Sequence, residues 1–555
     1  MGWRGWLLGT CGLVALLGAA PPPELGREGL VASDHVLASE AGVAVLDAGG
    51  NAVDAAIAAV LASGVVQPAG SGLGGGGFAV VVSPTGERFA LDFREVAPAA
   101  STQDMFVNAA AENASRIGGL AVAVPGEAAG LVALHDRFGT IPLKRVTRPA
   151  YDLARRGFPL GEHLAHALAR LPEDFLPGFS ELMFGSPAPI RRYDTVQRAN
   201  LAATIRAFTK TRGQDLRSGR VAEDIVDAAQ AAGGVLTLDD MAAYEPTVRE
   251  PMVGSYRGWT VTTMPPPSSG GIVMLQTLSV LESHDLTALG HNSAAYIHLL
   301  AETFKHAYAD RANYMGDPDR VDIPMERLLA PERIDEIRGQ FDPTQTFARD
   351  HYGTPVDIGQ DDGTLHVSVI DADGWSVAIT STINTSFGSR VVAPNSGVLL
   401  NNEMDDFVAR PGVPNAYGLI GTEANAVAPG ARPLSSMTPT VLVSPDGRQR
   451  IVVGASGGPW IISSTLQAIL NVVDFGMDAS EAVSVPRAHH QWVPERIDLD
   501  EGISVDTKAA LEALGHETRQ FPFFSSVQMA VMTEDGVEGA SDPRKGGWPA
   551  GRNSQ

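Results

Sequence analysis

The chain has 555 residues, 44% of them hydrophobic, and carries 41 Lys and Arg against 64 Asp and Glu, a formal net charge of −23. Such length and apolar content support a large buried core and exclude a disordered chain, and the acidic balance excludes nucleic-acid binding through a general positive field. Cys11 is the single cysteine, which excludes an internal disulfide, a zinc-thiolate site and an iron–sulfur cluster.

At the N-terminus, Arg4 precedes an apolar, small-residue stretch over 7–20. It is shorter than the roughly 20 apolar residues of a spanning helix and has the pattern of a signal-peptide core. Gly18 and Ala20 are small enough for a signal-peptidase cut. The expectation is a signal peptide over 1–20 and an exported protein, periplasmic or secreted; a retained anchor is the alternative. Loss of that segment removes Cys11 and with it any cysteine nucleophile.

Residues 34–63 read as two helices broken at Gly49-Gly50, with Asn51 as N-cap of the second. The glycine-rich run 72–77 leads into a strand at 78–82, a Pro84-Thr85-Gly86 turn and a strand at 88–93, which together make a hairpin. No Lys-Ser/Thr follows the glycines, so they read as a close-packed turn and not a phosphate loop. From 125 to 345 the pattern is mainly helical, clearest at 292–315, and reads as scaffold. The texture turns polar and acidic over 340–363, ending in Asp361-Asp362-Gly363, and looks like a boundary. Strands are expected at 366–370 and 375–381, with hairpins inside 439–453 and 528–539. Helices are expected at 459–474 and 478–485, the latter opened by a capping box of Asp478 and Glu481. Runs of strands with blocks of helix predict an α+β fold, two sheets covered by helices.

Gly363-Thr364-Leu365-His366 opens a strand directly after the acidic stretch, and Gly363 is a permissive residue for a backbone rearrangement. Thr380-Ser381-Thr382-Ile383-Asn384 runs up the partner strand. Asn401-Asn402-Glu403-Met404-Asp405-Asp406, Arg432-Pro433-Leu434-Ser435-Ser436 and Gly454-Ala455-Ser456-Gly457-Gly458 follow. With Leu91-Asp92-Phe93-Arg94-Glu95 upstream, and Arg487-Ala488-His489-His490 and Ser541-Asp542-Pro543-Arg544 downstream, these motifs cover nearly the whole mature chain in order. The set resembles the γ-glutamyltransferases of the N-terminal-nucleophile hydrolase superfamily.

That resemblance implies a four-layer α/β/β/α fold and self-cleavage between Gly363 and Thr364. It gives a large subunit, 21–363, and a small subunit, 364–555, that begins with the nucleophile. Thr364 would use its own freed α-amine as base, and Thr382 would aim its hydroxyl. Gly457 and Gly458 would supply oxyanion N–H donors, with Pro459 fitting the first turn of the next helix. Arg94, Ser435 and Ser436 would hold the α-carboxylate of a glutamyl donor, and Asn384, Glu403 and Asp406 its α-ammonium. Residues 411–432 resemble a lid, with Tyr417 closing over small γ-glutamyl compounds. Leu365 stands where relatives often carry a second threonine. The implied substrates are glutathione-like donors, with water, amino acids or dipeptides as acceptors. The two subunits would stay together as a heterodimer, without metal or cofactor.

Other residues read as structural. His366, two residues past Thr364, reads as polar packing because the α-amine fills the base role. His489-His490 lacks a spaced third ligand for a metal. Two rivals remain: a glutaryl or cephalosporin acylase of the same superfamily, and a non-catalytic binding homologue. The cluster of acceptors at 384, 403 and 406 disfavours the first; the intact Gly363-Thr364, Thr382 and Gly457-Gly458 disfavour the second.

Overall fold

Alternation along the strands sorts side chains into two cores. Val31 of the Gly29–Ser33 strand, Ala79 and Val81 of Gly76–Val82, and Val367 and Val369 of Leu365–Asp371 face one core. Their neighbours Leu30, Ala32, Phe78, Val80 and Ile370 face the other. This period-2 split is what a sheet buried on both faces requires. The computed structural model describes residues 20–173, 175–187, 190–353, 363–408, 422–522 and 525–553; the expected signal segment through 19 and Tyr417 lie outside them.

Two seven-stranded sheets stack face to face. The first runs, in spatial order, Ala550–Gly551, Gly29–Ser33, Leu365–Asp371, Ser376–Thr382, Gly76–Val82, Arg88–Phe93 and Thr247–Arg249. The second runs Glu24–Gly26, Gly536–Ser541, Ser526–Thr533, Arg450–Ser456, Thr440–Val443, Trp259–Thr263 and Met252–Tyr256. Helices Val36–Asp47, Ala52–Val66 and Glu127–Phe138 cover the outer face of the first sheet. Gly270–Leu281, Ala294–Tyr314 and Trp460–Val473 cover that of the second. The result is the four-layer α/β/β/α arrangement.

Local chemistry explains most boundaries. Asn51 accepts from Asp54 N and Asp54 reciprocates, a capping box that starts Ala52–Val66. Asp371, the last residue of the Leu365–Asp371 strand, accepts a 2.8 Å bond from Ala52 N and so ties that helix to the sheet. Every residue of the helix is buried, and its small side chains permit the close approach. A Cβ at Gly74, Gly75 or Gly77 would fall 2.2 Å or less from the carbonyl oxygens of Leu399, Thr382 or Thr380, so the glycine run is a close-packed turn. The helical reading of 125–345 misses the Met252–Tyr256 and Trp259–Thr263 hairpin, which finishes the second sheet at its edge. Among the described residues no helix is long and apolar enough to cross a membrane.

Strands from both sides of residue 363 share each sheet. Leu365–Asp371 pairs with Gly29–Ser33, and Ser376–Thr382 pairs with Gly76–Val82. The polar stretch ending at 363 therefore does not separate two sheets.

His366 sits between the sheets, fully buried, bonded to Thr380 Oγ1 at 2.8 Å and Ser368 Oγ at 3.1 Å. Burial pushes its pKa down to about 3. In the unfolded chain it protonates near 6.5, so folding excludes a proton in the window between those values, and this contribution to stability falls as pH drops. His366→Gln removes the dependence. Relative to the parent, the variant is expected to gain about 2 kcal/mol between pH 7 and pH 5, checked by urea unfolding of a chain kept whole by Thr364→Ala.

Candidate active site

Thr364 stands just ahead of the Leu365–Asp371 strand, whose first residue pairs with Ser381. That register sets Thr364 beside Thr382, and their hydroxyl oxygens lie 3.0 Å apart. Thr382 Oγ1 also accepts a 2.8 Å bond from Asn384 N, which fixes its rotamer. Thr364 has φ 81° and is 4% exposed. A β-branched residue in that region is strained by about 1–3 kcal/mol. Gly363 has no room for a side chain: a Cβ there would lie 1.6 Å from Asn384 O.

One small cavity is lined by Thr364, Thr382 and Asn384, by Arg94, Glu403 and Asp406, and by Ser435, Ser436 and Gly458. The structure thus gathers nearly all the residues singled out from the sequence. Gly457 lies one step behind, its backbone packed on Ser525. Both glycines have positive φ, 116° and 56°, and their carbonyls accept from Trp460 N and Ile461 N. The pair therefore leads straight into the Trp460–Val473 helix, with Pro459 as its N-cap. The N-terminal end of a helix dipole favours negative charge at this point.

Arg94 is almost fully buried. Its guanidinium donates to Glu403 and, at 2.5 Å, to Asp406 Oδ2; its Nε reaches Pro433 O at 3.3 Å. Glu95, to which the sequence reading gave no role, is fully buried with Oε2 3.9 Å from Arg94. One cation thus faces three carboxylates. Burial lifts Glu95 and Glu403 above the usual carboxylate range and Arg94 opposes the rise.

The two serines are held differently. Ser435 O accepts from Ser269 N and Oγ at 2.8 and 2.7 Å, and Arg311 Nε donates to Ser269 Oγ. Ser436 Oγ is buried with no partner among the described residues, as is Glu403 Oε2, so both point unsatisfied polarity at the cavity region. Asn401 is a further residue without a role in the sequence reading. It bonds Gly74 O, both backbone groups of Ala123, and Glu403 N, and so knots three loops behind the acids.

His489 bonds Ser463 Oγ and Gln491 Oε1, and His490 Nδ1 accepts from Trp492 N; both are packing residues. One described cluster, His298, Glu302 and His516, groups metal-ligating atoms. However, Lys305 Nζ lies 2.7 Å from Glu302 Oε1, and the two histidines bond each other at 2.7 Å. Those atoms are satisfied within the protein.

Arg94→Met strands two buried carboxylates. Urea unfolding in the Thr364→Ala background is expected to show a loss of about 3–5 kcal/mol at pH 8, shrinking at pH 5 as the acids become neutral.

The gamma-glutamyltranspeptidase family model matches residues 38–551. The glutathione hydrolase proenzyme of Escherichia coli (strain K12) is 41% identical over 560 residues, covering 97% of this chain and 96% of that protein. Among solved structures, the cephalosporin acylase from Bacillus halodurans superposes with TM-score 0.85 at 26% identity, over 99% of this chain and 100% of that one. The Helicobacter pylori gamma-glutamyltranspeptidase matches with TM-score 0.56 at 38% identity, over 61% of this chain and 97% of that one.

Proposed function

The chain belongs to the γ-glutamyltranspeptidase family, and on that premise we propose that Thr364 is the nucleophile both of self-cleavage after Gly363 and of γ-glutamyl transfer. The protein is a self-processing γ-glutamyltransferase and glutathione hydrolase. The observation that carries the assignment to Thr364 is its strained backbone at the head of a central strand, with its hydroxyl 3.0 Å from that of Thr382.

In processing, Thr364 Oγ attacks the Gly363 carbonyl, the peptide becomes an ester, and water releases a large chain, 21–363, and a small chain, 364–555. The strain at Thr364 and the contact of Gly363 with Asn384 favour leaving the peptide geometry. In turnover, the freed α-amine takes the Oγ proton as Oγ attacks the γ-carbonyl of a glutathione-like donor. Gly457 and Gly458 N–H stabilise the oxyanion. The proton passes to the leaving amine, and the γ-glutamyl ester on Thr364 is then transferred to water, an amino acid or a dipeptide.

Donor recognition follows from opposite charges on neighbouring groups. Arg94, with Ser435 and Ser436, binds the α-carboxylate; Asn384, Glu403 and Asp406 accept from the α-ammonium. The unpartnered Ser436 Oγ and Glu403 Oε2 support this division. Tyr417 closes the site, and the segment over 1–20 directs export to the periplasm or medium; both lie outside the described residues. The two chains stay together as a heterodimer, which the interleaved strands support.

The acylase likeness favours a second reading, a glutaryl or cephalosporin acylase. A glutaryl substrate has no α-ammonium and leaves the acceptor cluster unused. The two readings separate on a γ-glutamyl anilide against the matched glutaryl anilide. A preference of about 10- to 100-fold in kcat/KM for the γ-glutamyl compound is expected; equal or reversed rates would move the assignment to an acylase. Thr364→Ala is expected to give a single uncut chain with no amine release, and two chains on a denaturing gel would refute the nucleophile.

A further inference from the structure

Lys545 closes the short Pro543–Lys545 turn, 181 positions beyond Thr364. The turn is held rigidly. Asp542 accepts from Arg544 N and from Val527 N, and pairs with Arg487 at 2.5 Å with both side chains fully buried. Lys545 is itself buried, and its Nζ donates to Thr364 O at 3.2 Å and to Ser456 Oγ at 2.6 Å. Ser456 ends the Arg450–Ser456 strand and immediately precedes Gly457-Gly458. One ammonium therefore touches the nucleophile residue and the strand end that carries the oxyanion donors.

We propose that Lys545 is a positioning residue for the nucleophile, whose positive charge on the Thr364 carbonyl holds the freed α-amine in its uncharged, proton-accepting form. This rests on the reading of Thr364 as nucleophile. An α-amine ordinarily titrates near 7.7–8.0 and would be mostly protonated at neutral pH, useless as a base. A buried cation bonded to the same residue disfavours a second positive charge there.

The surrounding groups leave that field largely standing. Asp34 is the acid facing Lys545 from the end of the Gly29–Ser33 strand; it accepts from His366 N at 2.9 Å and Gln528 Nε2 at 3.1 Å. Burial raises its pKa against the pull of Lys545. From the Glu162–Ala169 helix His163 faces the lysine, and its pKa is pushed down to about 3 by burial and then by Lys545; His35 is held at about 4 and His366 at about 3. All three are neutral at working pH. Asp542 is committed to Arg487 and Arg544, and Glu403 and Asp406 are paired with Arg94 across the cavity.

The test is the pH profile of kcat/KM for a γ-glutamyl anilide. N-terminal sequencing first establishes that the parent's small chain begins with Thr364; if it does not, the nucleophile reading fails and the lysine is not at issue. In the parent, the acid limb is expected about one unit or more below the ordinary amine range. Lys545→Met is expected to move the limb up by about one unit, and Lys545→Arg to leave it near the parent. Asp34→Asn, which removes the facing negative charge, is expected to move it down, an opposite shift that a merely structural role does not produce. If Lys545→Met is not processed, the parent and Asp34→Asn profiles decide. A parent limb near 8, or limbs unmoved in the variants that mature, would overturn the proposal.

Discussion

The site depends on one residue that must both start a strand and break the rules of a strand. Thr364 pairs its successor into the middle of a buried sheet, yet its own backbone lies in a region where a branched side chain is uncomfortable. Three fixed objects hold it there. The Asn384 backbone crowds the preceding Gly363, Thr382 meets the Thr364 hydroxyl, and Lys545 takes the Thr364 carbonyl. None of these is local in sequence, so the strain is supplied by the assembled sheets and not by the segment itself.

Charge is managed by the same means, distance in the chain traded for contact in the fold. An acidic protein of net charge −23 has placed one arginine among three buried carboxylates drawn from its two halves. Left alone, either partner set would be costly to bury. Together they form an ion-paired knot with two polar atoms, Ser436 Oγ and Glu403 Oε2, still unspent. A zwitterion suits such a surface, because it brings one charge of each sign and adds no net charge to a dry site.

Much of the fold could be read from local chemistry. The N-cap at Asn51, the capping box at Asp478 and the hairpin at 76–93 appear where turn and cap residues predicted them. The 252–263 hairpin escaped because its half-exposed strands, only five residues each, sit among helical patterns and owe their pairing to Thr440–Val443, far along the chain. Site residues that lay in motifs, such as Arg94, Glu403 and Ser435, could be named in advance. Glu95, Asn401 and Lys545 could not be given roles, since a buried acid, a looping amide and a late lysine acquire meaning only from partners about 90 to 330 positions away.

The sharing of each sheet by strands from the two sides of residue 363 has a consequence for the life of the molecule. Each sheet is woven from both segments, with the Leu365–Asp371 strand slotted between Gly29–Ser33 and Ser376–Thr382. While the chain is continuous, that weave is reached by an ordinary search with its ends tethered. After the cut, two separate polypeptides would have to find the same register by collision, and neither has a complete sheet to offer the other. The mature enzyme is thus a one-way product. Its persistence then rests on the rate of unfolding, since regaining the weave has become a bimolecular search.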